Sequence, residues 1–189
     1  GLKIHGGWSR AQPQKSFRVK CRDEYGFSKI NYPCIPDKPF ITEYKGFNLR
    51  NGGNDYYGSR MRDAFMQRLT KNTHTDYMGY TPVIVFLNGE YFGEYELRET
   101  LNKHWVESNW DYDSDEATVI TENYMGMDAN DGTLDNFNDM YNLISNADPN
   151  SSDFYSLADS LIDLENFAGR PSPFIGSFRD IISNFQSPI

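Results

Sequence analysis

The sequence lacks long apolar runs and is poor in cysteine and histidine. No stretch approaches the roughly 20 apolar residues that a transmembrane helix needs, so no membrane span is predicted. The two cysteines, Cys21 and Cys34, match neither a zinc pattern nor a disulfide framework. We interpret them as two thiols, with a single disulfide as the alternative in a secreted protein. The three histidines are scattered, and no Ser-His-Asp, Cys-His or HExxH arrangement is predicted.

Positive charge is also scarce, and its distribution is uneven. The net charge of −9 argues against general nucleic-acid binding, which depends on neutralising phosphates. Lysines and arginines crowd the first thirty residues, whereas the acids concentrate after Glu107. A local basic site therefore remains compatible with the acidic total.

The chain of 189 residues has the length of one domain or of one lobe of a larger domain. It opens on the strand-like residues GLKIHGG without an initiator methionine. We therefore expect residue 1 to be an interior point of a longer gene product, and a missing signal peptide is uninformative. The 13 Phe, 13 Tyr and 3 Trp provide large side chains for a core.

Strand patterns dominate the first half of the chain. Residues 1–50 are β-rich, interrupted by an irregular proline loop at 32–40, and residues 82–98 form a hairpin with a type I′ turn at Asn88-Gly89. The first strand of that hairpin, 83–87, is apolar without alternation, which predicts cover on both faces. A helix is predicted over 57–71, with Ser59 as its N-cap and with Met61, Ala64, Phe65 and Leu69 on one face.

Helices are more frequent in the second half. We predict helices at 101–108, 135–147 and 151–168, a strand at 117–121 and a polar loop at 123–133. In the tail, RDIISNF at 179–185 could be one short helix. The predicted fold class is α+β, with a twisted antiparallel sheet packed on helices.

Three groups of residues could carry chemistry. The turn IHGGWSR offers Ser9 and Arg10 to a phosphate, and Lys20 lies one strand later, as in the loop-and-lysine arrangement of protein kinases. The pattern G-x-G-x-x-G is absent, and an ordinary Gly-Gly turn with a solvated Lys20 is the alternative. The loop from Arg50 and Asn51 to Asp55 could bind an anion or help order a metal, or could simply be a turn capped by its own side chains.

The third group is Arg98-Glu99 at the end of the hairpin. Arg62 and Asp63 in the first helix are possible ion-pair partners. An ion pair between Lys20 and an acid, either Asp63 or Glu99, would mimic the lysine–glutamate pair of kinases. An ordinary surface ion pair is the alternative reading.

An acidic stretch at 111–115, with Glu122 at the twelfth position, is similar to a calcium loop. Glu116 stands where such a loop needs glycine, and residues 117–121 have the pattern of a strand. A calcium-stabilised surface domain is therefore only a third reading of the chain.

Five motifs agree in order and spacing with one family. KSFRVKCRDEYG, PDKP, FNLRNGGND, RMRDAFMQRL and PVIVFLNGEYFGEYELRET resemble the spore coat protein H (CotH) family, over about residues 1–168. The resemblance implies an atypical protein-kinase fold that uses ATP and Mg²⁺ to phosphorylate proteins. It places Arg18, Lys20, the Arg50–Asp55 loop and Arg98-Glu99 around a nucleotide cleft. Together with the glycine turn, the predicted nucleotide-binding residues are Ser9, Arg10, Arg18, Lys20, Arg50, Asn51, Asp55 and Arg98. Lys20 and Glu99 are the expected catalytic pair, and the metal ligands stay unassigned.

The chain departs from the family pattern near its end. Family members continue past a segment like Asp163–Phe167 into a second lobe with an Asn/His-rich catalytic loop and a metal-binding aspartate, whereas AGRPSPFIGSFRDIISNF matches neither. We therefore interpret 1–168 as the nucleotide-side part of the domain and 169–189 as a tail, which could begin the missing lobe.

Two functions remain open at this point. The first is a fragment of a CotH-type kinase that acts on protein hydroxyls. The second is a non-catalytic interaction module, associated with a spore coat, a cell wall or a cellulosome. In both cases the expected partners are coat or cell-surface proteins, and the expected location is the spore coat or the cell surface.

Overall fold

A computed structural model describes residues 1–73, 76–123 and 126–162. In chain order the strands are β1 (Leu2–His5), β2 (Ser16–Lys20), β3 (Ile30–Asn31), β4 (Glu43–Tyr44), β5 (Gly46–Arg50), β6 (Tyr80–Leu87), β7 (Glu90–Arg98), β8 (Val119–Asn123) and β9 (Gly126–Asp131). The α-helices are α1 (Arg62–Leu69), α2 (Lys103–Trp110), α3 (Asp135–Asn146) and α4 (Phe154–Leu161). This content confirms the α+β class with an antiparallel sheet.

The chain divides into two compact units. The first unit comprises Gly1–Leu69 and Tyr77–Gly132, and the second comprises Thr70–Asp76 and the chain from Thr133 onward. The predicted tail 169–189 and its short helix lie outside the described residues, as does the segment 163–167. The predicted division at residue 168 therefore stays a prediction. None of the described helices is long and apolar enough to cross a membrane.

A five-stranded sheet forms the centre of the first unit. Its spatial order is β1-β2-β5-β7-β6, and each neighbouring pair is antiparallel. The β-rich start and the hairpin predicted from the sequence are thus confirmed. β3 pairs with β4, and β8 pairs with β9, in two smaller sheets.

The two faces of the central sheet differ in chemistry. Phe17, Leu49 and Leu97 lie side by side on β2, β5 and β7, and all three are buried in the hydrophobic core. Because neighbouring residues of a strand point to opposite faces, the adjacent row is formed by Arg18, Asn48 and Arg98. Burying the apolar row stabilises the sheet by roughly 1.5–3 kcal/mol per side chain, and the opposite row is free to be polar.

The hairpin has the predicted turn, but its first strand is not buried on both faces as predicted. Asn88 and Gly89 both have positive φ, 52° and 83°, as a type I′ turn requires. β6 lies at the edge of the sheet, and its Ile84 and Phe86 are each 60% exposed. The prediction that this strand is covered on both faces is therefore wrong. Burial alternates along β6, so only one face of this edge strand packs against the protein.

Helix α1 begins later than predicted. Arg60 has a φ of 59°, which an α-helix does not allow, so the helix starts at Arg62 and Ser59 is not its N-cap. The Asp55 carboxylate takes that role in part, since it accepts a hydrogen bond from the Arg62 N–H at 3.3 Å. On the predicted apolar face only Ala64 is buried, while Phe65 is 58% exposed.

The remaining helices follow the predictions with shifted ends, and one predicted loop is wrong. α2 starts two residues later than expected, after Asn102, whose side chain accepts from the Trp105 N–H at 3.1 Å. α3 confirms the helix at 135–147, and α4, Phe154–Leu161, confirms a helix within the described part of 151–168 but begins three residues later than predicted. Within the polar segment 123–133, residues 126–131 form strand β9, because pairing with β8 outweighs the weak strand preference of Gly, Asn and Asp.

Candidate functional site

A cleft of about 560 Å³ lies on the polar face of the central sheet. The strands supply His5, Ser16, Arg18, Asn48, Arg50 and Arg98, and adjoining segments supply Gly6, Gly7, Trp8, Ser9, Gly53, Asn54, Met78, Glu99 and Leu101. Its volume falls within the range of small-molecule sites. Of the residues predicted from the sequence, the structure brings Ser9, Arg18, Arg50, Arg98 and Glu99 together here.

Arg98 is the most unusual residue of the cleft. Its side chain is only 1% exposed, yet its Nε and Nη2 atoms have no hydrogen-bond partner among the described residues. A buried charged donor without a partner is costly, and a guanidinium presents two parallel N–H groups that match the oxygens of a phosphate or carboxylate. The free side of Arg98 therefore fits an oxyanion.

The other guanidiniums extend this positive wall. Arg18 lies one strand beyond Asn48 in the same row and donates from Nε to the Asn48 side-chain oxygen at 3.3 Å. Arg50 is partly buried on β5. Three arginines thus line one concave face of a chain that is acidic as a whole.

Helix α1 is tied to this wall by Asp63. One carboxylate oxygen of Asp63 accepts from Nη1 of Arg50 and from Nη1 of Arg98. Asp63 thus pairs with Arg98, as the sequence suggested, whereas the other suggested partner, Arg62, pairs with Asp55 at 3.1 Å. Gly53 leaves room for Arg50, because a Cβ at this position, with its φ of +58°, would lie 2.7 Å from Arg50 Nη2.

Glu99 is held by a lysine that the sequence analysis did not select. The Lys38 ammonium donates to Glu99 Oε2 at 2.7 Å, to the Asn109 side-chain oxygen at 2.5 Å and to the Tyr77 carbonyl at 2.8 Å. Glu99 Oε2 also accepts from the Gly79 N–H at 2.5 Å. The side chains of Lys38 and Glu99 are 3% and 4% exposed. This carboxylate therefore fixes the end of β7 to the proline loop and to α2.

The structure does not form the kinase-like ion pair of Lys20 with Asp63 or Glu99 that the sequence left open. Lys20 is exposed at the end of β2, opposite Gly46, and does not line the cleft. Both carboxylates are instead taken by nearer cations, Lys38 for Glu99 and the two arginines for Asp63. Whether Lys20 acts in catalysis stays a prediction.

Three further predicted residues lie outside the cleft lining. Arg10 is exposed and donates from Nε to the Gly7 carbonyl at 3.3 Å. Asn51 is 1% exposed, and its side chain accepts from Ser16 Oγ at 2.8 Å and donates to the Gln14 carbonyl at 2.6 Å. Asp55 is buried at the start of α1, where the Ser59 hydroxyl and then the Arg62 N–H lower the pKa of its carboxyl. Asn51 and Asp55 therefore hold neighbouring segments in place without lining the cleft.

Two titratable groups have pKa values shifted by their surroundings. Burial lowers the pKa of His5, and the neighbouring Arg18 and Arg50 lower it further. Burial raises the pKa of Glu96, which lies opposite Arg50 between β7 and β5. Both carboxylate oxygens of Glu96 are buried without a hydrogen-bond partner among the described residues.

The described residues offer no prepared metal site. No group of three or more His, Cys, Asp or Glu residues that could hold a metal ion occurs in them. In the acidic stretch at 111–115, Asp113 accepts from the Asp115 N–H at 2.9 Å, and Asp115 accepts from Lys103 Nζ at 2.6 Å. The metal ligands therefore stay unassigned in the described residues.

Four residues around the site were not selected from the sequence. Lys38 stands between prolines in an irregular loop, a position typical of a solvated lysine. Glu96 alternates with apolar neighbours as any outward strand residue would, and His5 is one of three scattered histidines. Trp8 was read only as part of a glycine turn, although an aromatic residue beside two glycines could have marked it.

The comparisons with known proteins agree with the sequence resemblance. The family model described as CotH kinase protein matches residues 2–169 of the 189-residue chain. The search of curated proteins found no match, and neither did the search of solved structures. Because the family model covers most of the chain, this protein belongs to the CotH kinase protein family.

Proposed function

We propose that the cleft binds the phosphates of ATP, and that the chain is the nucleotide-binding part of a kinase that phosphorylates Ser or Thr hydroxyls of proteins. The observation that carries the proposal is the buried Arg98, which lines the cleft together with Arg18 and Arg50 and has N–H groups without a hydrogen-bond partner among the described residues. Oxyanions are the ligands that satisfy such donors. Family membership supports the same chemistry.

The arrangement of α1 supports a kinase-like site. In protein kinases, a cation on a strand pairs with a carboxylate on a helix, and this pair orients the cation toward the nucleotide phosphates. Here Asp63 on α1 holds one N–H group of Arg50 and one of Arg98. The remaining N–H groups of Arg98 are left for a ligand. We assign Asp63 as a positioning residue and the arginines as phosphate-binding residues.

Bound ATP supplies the phosphoryl group, while the described residues bind and orient it. We assign Glu99 to positioning, because its carboxylate already accepts from Lys38 and from the Gly79 N–H. The residues that would hold Mg²⁺ stay unassigned. We further propose that the complete protein acts on coat or cell-surface proteins, at the spore coat or the cell surface.

Two substitutions on one strand test the phosphate site. Arg18 and Lys20 lie on the same face of β2, two residues apart, but only Arg18 lines the cleft. Titration of Mg²⁺-ATP by calorimetry is expected to show binding that is weakened about 10-fold or more by Arg18→Gln, the loss of one charge-assisted hydrogen bond, and little changed by Lys20→Gln. Equal weakening by both would point to general electrostatic attraction. A larger effect of Lys20→Gln would restore Lys20 to the site.

A second candidate function rests on the outer hairpin. Ile84 and Phe86 are each 60% exposed, Tyr91 is 63% exposed, and the rings of Phe86 and Tyr91 lie 6.0 Å apart. Exposed apolar clusters mark interaction surfaces, so this edge suits a non-catalytic binding module. A well-folded chain that binds no ATP, but loses a coat or cell-surface partner on Phe86→Ser substitution, would favour this reading.

A further inference from the structure

Trp8 is the most exposed large apolar side chain of the first unit that also lines the cleft. Its side chain is 89% exposed, although an indole gains a large free energy from burial. It shares the cleft lining with Arg18, Arg50 and Arg98. An exposed indole is therefore held beside the cationic wall proposed to bind phosphates.

The turn that carries Trp8 has a well-defined backbone. Gly6 has a φ of +109°, and a Cβ at this position would lie 2.3 Å from Ser9 Oγ, so only glycine fits the turn that precedes Trp8. The short 3-10 helix Trp8–Ala11 is then braced by a bond from the Arg10 N–H to the Gly7 carbonyl at 3.1 Å. Lys15 Nζ donates to the Arg10 carbonyl at 2.8 Å. Trp8 is thus presented by a braced turn.

We propose that Trp8 is the stacking platform for the base of the nucleotide bound in this cleft. The inference rests on the proposed function, and it adds the residue that recognises the planar ring of the nucleotide. Nucleobases stack on aromatic side chains through their π-faces. The phosphates then satisfy the guanidiniums while the base covers the indole.

The rival position for the base is the apolar part of the lining formed by Met78 and Leu101. Leu101 is 49% exposed, far less than Trp8, and it offers no aromatic face. A flat, polarisable ring gains more from stacking on an indole than from contact with one aliphatic side chain. The two positions predict different variants to be affected.

Two ligands separate base binding from phosphate binding. Mg²⁺-ATP and Mg²⁺-tripolyphosphate share the phosphate chain, but only ATP has a base. Calorimetric titrations of the whole chain with both ligands are expected to show that Trp8→Ala weakens ATP binding about 5- to 150-fold and leaves tripolyphosphate binding unchanged. Trp8→Phe keeps a ring and is expected to retain part of the ATP affinity. Trp110→Ala is the control, because Trp110 is 55% exposed at the end of α2, outside the cleft lining.

The remaining outcomes would overturn the proposal in distinguishable ways. If Trp8→Ala leaves the ATP affinity unchanged, the base lies elsewhere, and Leu101→Ala is the variant that should then weaken it. If Trp8→Ala weakens both ligands equally, the residue shapes the turn and does not contact the base. If the wild-type chain binds tripolyphosphate and ATP equally well, the base is not recognised. If it binds neither ligand, the proposed phosphate site fails as well.

Discussion

The buried ion pair between Lys38 and Glu99 gives a sharp prediction about stability. The Lys38 ammonium is 2.7 Å from Glu99 Oε2, and both side chains are almost fully buried. The pair joins the proline loop, the end of β7 and α2, since Asn109 of α2 also accepts from Lys38. Lys38→Met removes the charge, keeps much of the volume and leaves the Glu99 carboxylate buried without its cation.

The magnitude follows from burial. Removing one partner of a buried ion pair costs about 3–5 kcal/mol of unfolding free energy, because the other charge stays uncompensated. For a chain of this length the loss corresponds to a drop in melting temperature of about 6–20 °C. The double variant Lys38→Met/Glu99→Leu removes both charges, so it should be less destabilised than the sum of the single variants.

A second ion pair of the same chain provides the matched control. Lys29 and Glu43 are 2.5 Å apart, but their side chains are 43% and 52% exposed. Exposed ion pairs contribute little to stability, so Lys29→Met should change the unfolding free energy little. Urea unfolding followed by circular dichroism measures both variants. The account of Glu99 as a positioning residue would be refuted if Lys38→Met cost no more than Lys29→Met.

Three further predictions concern single positions. Because burial raises the pKa of Glu96, the folded state binds the proton of this carboxyl more tightly than the unfolded state. Glu96 therefore costs stability as the pH rises above the ordinary pKa of the group, near 4.5. In thermal unfolding, Glu96→Gln should gain stability relative to wild type as the pH rises from about 5 to about 8, and a pH-independent difference would contradict the shift. Gly53→Ala should displace Arg50 and weaken tripolyphosphate binding by calorimetry, whereas unchanged affinity would show that the guanidinium has other room. Asn102→Ala removes the cap of α2 and should cost about 0.5–2 kcal/mol in urea unfolding, with Asn102→Gly costing less; equal costs would argue against capping.

Local signals predicted local structure well. The Asn88-Gly89 dipeptide identified the hairpin, because few residues accept positive φ at both central positions of a tight turn. The periodic apolar residues of α3 likewise predicted that helix. The start of α1 was missed, since nothing in the sequence shows that Arg60 adopts a φ of 59°.

The site was only partly predictable, because it is assembled from distant segments. Arg50 and Arg98 were found through the glycine loop and the hairpin end, and antiparallel pairing of β5 with β7 brings them to one face. Lys38 could not be found in this way, since its three hydrogen-bond partners come from residues 77, 99 and 109. The sequence analysis selected Lys20 instead, because it stands in a recognisable strand, but Lys20 lies outside the cleft lining.

In the proposed site, the guanidiniums of Arg98 and Arg18 bind the phosphates of a nucleotide. The most direct measurement follows the side-chain Nε–H signals of the arginines by NMR while Mg²⁺-ATP is added. Arg98 Nε has no partner among the described residues, so its signal should shift strongly, together with that of Arg18. Arg22 is exposed and paired with Glu24, and its signal should stay in place. Unchanged Arg98 and Arg18 signals at saturating ATP would contradict the account.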